Sequence, residues 1–161
     1  MAIFYKAILD QANFRDARLS RAVLIGARGI GTIFTKADLS EIHAPNAQFH
    51  QAQFNHATME SANLVATDLI GSNFTSANLT HANLQEAHLQ GATLSGADLT
   101  GAQLDKADLR RATLHGANLA LASGLTQAQL DTACVDEQTK LPAELSRPAP
   151  CVAAKKTTRH E

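Results

Sequence analysis

From Phe4 to Leu119 the chain repeats every five residues without losing phase. In ANLTHANLQEAHLQGATLSGADLTGAQL, residues 77–104, every fifth residue is a leucine and two residues before each leucine stands an alanine. A helix would rotate successive leucines by roughly 140°, spreading them over its whole surface. A straight strand alternates faces with period two, so an odd spacing would throw the leucines alternately in and out. The chain must therefore turn once per repeat, so that each short extended piece presents its leucine inward. Stacked turns of this kind bury one continuous column, which is the logic of a solenoid. Of the 24 positions in phase with Phe4, 22 hold Leu, Phe or Met, the exceptions being Gly29 and Ala44. Two residues earlier, 20 of 24 are Ala, the others being Thr32, Ile42, Thr67 and Ser72.

Units such as Ala37-Asp38-Leu39-Ser40, Ala77-Asn78-Leu79-Thr80 and Ala97-Asp98-Leu99-Thr100-Gly101 resemble the pentapeptide-repeat family, over residues 2 to 123. The resemblance implies an all-β solenoid, a right-handed four-sided β-helix with four pentapeptides per coil. Leu/Phe and the small residue two before it would point inward. One internal feature supports four units per coil: Phe14, Phe34, Phe54 and Phe74 are spaced by 20, so a 20-residue coil stacks them as a structural core column. On the next face Gly29 would lie beside Phe49, the small-beside-large pairing that dense packing favours. About six coils at roughly 4.8 Å each give a rod on the order of 29 Å long.

The expected organisation is a β-helix over 1–123, a capping helix and turn over 124–142, and a Pro-containing, polar, mobile tail over 143–161. Thr126 suits an N-cap with Gln129 completing a capping box, and Leu125 and Leu130 stand where a hydrophobic staple places them, predicting a short helix over about 127–134. Residues 125–142 are also similar to tails of bacterial pentapeptide-repeat proteins. Residues 1–6 are already in repeat phase, which predicts no signal peptide and leaves the first coil without an obvious cap. Either another chain covers that coil, or the chain is a shortened version of something longer. No apolar run approaches the ~20 residues needed to span a membrane.

Cys134 and Cys151 are the only cysteines. As a disulfide they would indicate an oxidising, exported or periplasmic compartment; as free thiols, a reducing cytoplasm.

The residues offer no catalytic, cofactor or metal site. His43, His50, His56, His81, His88 and His115 include no pair 20 apart, the spacing at which ligands would stack. Asp98, Asp105 and Asp108 occupy ordinary polar positions, and Gly91, Gly96 and Gly101 read as turn residues rather than a phosphate cradle. The serines have no His and acid arranged as a nucleophile system needs.

The outer positions say more. With 20 residues per coil, Tyr5, Ile25, Pro45 and Val65 line up on solvent, with Ile30 and Ile70 on the adjoining side: a candidate interface. Another face carries Asp38, Glu41, Glu60 and Asp98. Residues 1–36 hold six basic and two acidic residues, whereas no Lys or Arg occurs between Lys36 and Lys106, a stretch with seven acids. Two functions fit. One is a rigid, non-enzymatic scaffold that docks a protein partner, including a second copy as a homodimer. The other follows from the resemblance: some members mimic duplex DNA, bind gyrase or topoisomerase IV, and protect them from quinolones or toxins. A formal net charge of −1 and Arg15, Arg18, Arg21 and Arg28 at one end argue for the scaffold. Sparse aromatic residues beside those arginines argue against direct nucleic-acid binding.

Overall fold

A computed structural model describes residues 1–151. Its backbone is a ladder of parallel bridges between residues 20 apart, beginning with Ile3 and Val23, Ile8 and Arg28, Asn13 and Ile33, and Arg18 and Asp38. Four such bridges fall in each 20 residues, so each pentapeptide supplies one short extended side. Each side closes with a turn: the Phe4 carbonyl accepts from the Ala7 N–H at 2.9 Å, and the pattern repeats at Leu9 to Ala12 and Phe14 to Ala17. The second central residue of the turn takes positive φ whether it is Gly91 (64°) or a side-chain-bearing residue such as Lys36 (59°) or Ala66 (51°). For the latter, positive φ carries a steric cost of about 1–2 kcal/mol per residue, which the inter-coil bonds must offset. Those bonds are dense. Leu24 N–H donates to the His43 carbonyl (2.7 Å), Gly26 to Pro45 (3.1 Å) and His43 to Ala22 (2.9 Å).

The core is the column of in-phase residues. Leu24, Phe34, Leu39, Phe49, Phe54, Met59, Leu64, Phe74 and the leucines after them are buried, with the alanines filling the space between. Phe14, Phe34, Phe54 and Phe74 stack with centroids 5.3, 5.1 and 4.8 Å apart and planes within 8°. Polar residues in the small slot are accommodated by bonding the coil before them: Thr32, Thr67 and Ser72 hydroxyls donate to the carbonyls of Leu9 (2.9 Å), Ala44 (2.8 Å) and Phe49 (2.6 Å).

The carboxyl-terminal segment departs from the sequence-based boundaries in two respects. The helix, α1, spans Gln127–Leu130, shorter than expected. The Thr126–Gln129 capping box forms, Leu130 is buried, and Gln129 Nε2 donates to the carbonyls of Leu104 (2.8 Å) and Ala107 (2.9 Å). After α1 the chain rejoins the ladder, Cys134 pairing with Thr113 and Lys140 with Asn118. Ala133-Cys134-Val135 and Thr139-Lys140-Leu141 are thus further units in the small–bridge–large order, and the coil does not stop at 123. Residues 143–151 make contacts with the coil. Leu145 packs against the core, and Ser146 and Gln127 exchange hydrogen bonds of 2.9 and 3.0 Å. The rest of the expected tail lies outside the described residues.

Candidate functional site

The apolar row occupies one turn position on successive coils. Lys6 N–H donates to the Ile25 carbonyl (2.9 Å), Gly26 to Pro45 (3.1 Å) and Asn46 to Val65 (3.0 Å), so each turn sits directly on the next. Tyr5 is 56 % exposed, while Ile25, Pro45 and Val65 are half-buried. The same wall carries two further apolar residues outside the turn column. Ile3, 67 % exposed, bridges to half-buried Val23, one turn before the row. They are outward positions of the same units, two residues before the turn column. Ile30 and Ile70 stand on the next corner with His50 stacked between them, its ring against the Asp68 carboxylate. They do not extend the row.

The carboxylates of the acidic face also hold their own turns. Asp38 Oδ1 accepts from the Ser40 N–H (3.1 Å) and hydroxyl (2.7 Å). Asp98 does the same with Thr100 (3.0 and 2.5 Å) and accepts from Asn118 Nδ2 at 3.3 Å. Asn73 and Asn78 hold their own turns identically through Thr75 and Thr80. Where the slot holds Asp or Asn, Oδ1 accepts from its own turn with or without a charge on the side chain. Glu41 is matched by Arg21, with both guanidinium bonds at 3.1 Å. Glu60 is exposed.

The Thr100 hydroxyl bond holds the Asp98 carboxyl below the usual carboxylate range, against a smaller opposing effect of burial. A depressed folded pKa means that the stabilisation is present above the unfolded value of about 4 and is lost as pH falls through the folded one. Asp98→Asn keeps the acceptor and removes the titration. It is expected to leave the thermal midpoint at pH 7 nearly unchanged and to reduce the loss between pH 4 and pH 2. A midpoint that falls as steeply in acid as the parent's would contradict this.

The profile described as pentapeptide repeats matches in eight copies over residues 7–43, 32–71, 47–85 and 82–120. The chain belongs to the pentapeptide-repeat family. A search of the curated proteins gives no match. Among solved structures, this pentapeptide-repeat protein is similar to HetL, involved in heterocyst differentiation regulation in Nostoc sp. strain PCC 7120. Identity is 24%, covering 92% of this chain and 78% of HetL, with a TM-score of 0.44. It is similar to alr5209, a pentapeptide-repeat protein of Nostoc PCC 7120, at 27% identity, covering 80% and 84% of the two chains, with a TM-score of 0.36. It is also similar to QnrB1, a plasmid-mediated fluoroquinolone resistance protein, at 18% identity over 83% and 86%, with a TM-score of 0.41.

Some of the remaining polar side chains of this pentapeptide-repeat protein pair with one another. His43 Nδ1 lies 3.0 Å from Asn63 Nδ2, and Asp108 takes Arg110 and Gln90. Among the described residues no group of three or more His, Cys, Asp or Glu is placed to hold a metal ion. No helix there is long and apolar enough to cross a membrane. Cys134 and Cys151 are joined in a disulfide with Cα atoms 5.4 Å apart. Beside it, His115, Val135, Glu137 and Pro148 help line a cleft of about 550 Å³.

Proposed function

We propose that this protein is a rigid, non-enzymatic scaffold for protein–protein interaction that self-associates through the wall bearing Tyr5, Ile25, Pro45 and Val65. The frame is a right-handed, four-sided coil of about six turns, interrupted by α1 before its last two units among the described residues. One observation carries the reading: four consecutive coils place an apolar side chain at the same outward turn position, with Ile3 and Val23 beside them. A lone outward Ile is ordinary, whereas an aligned row on a surface held rigid by its ladder is a ready-made contact face. The disulfide supports an oxidising, exported or periplasmic setting.

Ile25→Lys/Val65→Lys tests the row. Both side chains are outward and only half-buried, so the coil folds, and a pair of lysines on each copy opposes a self-complementary contact. Sedimentation should show the parent associating and the variant dissociated at least tenfold more readily. An unchanged association constant would remove the row from the interface.

The alternative is a duplex-DNA mimic occupying a type II topoisomerase. It rests on the stretch from Asp38 to Asp105, with seven acids and no Lys or Arg. The formal net charge of −1 and the Arg21–Glu41 pair support the scaffold instead. Absence of both inhibition and protection of gyrase supercoiling at micromolar protein disposes of the mimic.

A further inference from the structure

The last rungs of the ladder are met by side chains rather than by another coil. Along most of the coil, the carbonyl of the small residue accepts from the bridging N–H of the following coil, as Ala2 does from Val23 (3.0 Å) and Ala97 from Asn118 (2.9 Å), whereas near its end Gln129 Nε2 takes that place at Ala107 (2.9 Å). Thr139 is the small residue of the last ladder unit among the described residues. Its carbonyl accepts instead from Nη2 of Arg147 at 2.9 Å, and Nη1 of the same guanidinium donates to the Asp136 carbonyl. A side chain thus stands where the N–H groups of another coil would be. Arg147 belongs to a strap, residues 142–151, laid over this edge.

The strap's other holds are few. Ser146 N–H donates to Gln127 Oε1 (2.9 Å), Gln127 Nε2 donates back to the Ser146 carbonyl (3.0 Å), and Leu145 packs against the core. The Ser146–Gln127 bonds and the Arg147–Asp136 bond are solvent-exposed. Exposed bonds of this kind exchange with water and contribute little net stabilisation. The covalent hold is the Cys134–Cys151 disulfide, which fixes the far end of the strap to a residue that is itself in the ladder. It keeps the weak contacts at high effective concentration.

We infer that this disulfide is a redox-operated latch: closed, it holds the strap on the carboxyl-terminal edge of the coil, and reduction lets the strap leave. Cys151 is exposed and Cys134 less so, which directs attack to the Cys151 sulfur. A thiolate of a small dithiol bonds to Cys151 Sγ, and Cys134 departs as a thiolate that takes up a proton. The second thiol of the reductant then displaces Cys151, closing the reductant's own disulfide. One S–S bond is broken, one is formed, and two electrons pass to the protein. Opening returns the Thr139 and Asp136 carbonyls to solvent and removes the Pro148 and Pro150 side of the neighbouring cleft.

Amide hydrogen exchange on the oxidised chain, the chain with a small dithiol, and Cys151→Ser tests the latch. Reduction should speed exchange at Leu145 and Ser146 at least tenfold while leaving the ladder amides of His43 and Asn63 unchanged. Cys151→Ser should reproduce the reduced pattern without reductant. Unchanged exchange at Ser146 in either form would overturn the inference, since the non-covalent contacts would then suffice. Equal acceleration of the strap and of His43 would also overturn it, because the bond would be stabilising the whole coil rather than latching one segment.

Discussion

Phe54→Ala is expected to cost about 3–5 kcal/mol, the range for emptying a buried aromatic site that cannot collapse. Phe54 is 1 % exposed, stacked between Phe34 at 5.1 Å and Phe74 at 4.8 Å, and meets the edge of Phe49 at 5.8 Å. The residues around it cannot fill the space. The small slots on either side are Ala52 and Ala57, and the backbone is pinned by bonds from Phe54 to Asn73 (2.7 Å) and from Asn73 to Ala52 (2.9 Å). Each coil of a solenoid is stabilised by its neighbours, so a void in the middle weakens both halves. Phe14, half-buried at the edge of the column, should lose less on the same substitution. Urea unfolding measures both. A loss at Phe54 below about 1 kcal/mol would mean that the stacked column is not the stabilising core.

Gly29→Ala is the second large effect, and here the cost comes from adding an atom. A Cβ at this position would stand 2.6 Å from Thr32 Oγ1 and 2.8 and 2.9 Å from Phe49 Cδ1 and Cε1. Phe49 has nowhere to go, wedged edge-on between Phe34 (5.6 Å, 82°) and Phe54 (5.8 Å, 78°). Thr32 is held by its hydroxyl bond to the Leu9 carbonyl. Overpacking a tight core in this way costs about 1–3 kcal/mol. If Phe49 is the obstacle, Phe49→Leu in the same chain relieves part of the clash, and the two substitutions couple by on the order of 1 kcal/mol. Simple additivity in denaturant unfolding would show that the glycine is required for some other reason.

Both effects trace to features that are visible in the sequence. The phase of Phe14, Phe34, Phe54 and Phe74 requires a 20-residue coil if the rings are to stack, and the gap at Gly29 beside Phe49 follows from the same coil. The capping box at Thr126 and Gln129 was legible because it is a local pattern between two side chains and two N–H groups. What failed was extrapolation past Ser123. The chain inserts one residue before Cys134, which pairs 21 residues from Thr113, and another before Lys140, which pairs 22 from Asn118. A strict period of five loses both units, although Ala133-Cys134-Val135 and Thr139-Lys140-Leu141 keep the small–bridge–large order. The acidic face has a second, structural role that a count of charges does not show. Counting charges treats every Asp as a free carboxylate, whereas Asp38 and Asp98 do the work that Asn73 and Asn78 do elsewhere, holding the N–H and hydroxyl of their own turns.

The proposed self-association is tested most directly by the molar mass of the oxidised chain in solution, by light scattering across a concentration series. A scaffold that pairs through the Tyr5–Val65 wall gives twice the chain mass at high concentration and relaxes toward the single-chain value on dilution. A single-chain mass at every concentration would contradict self-association and leave that wall for a different protein.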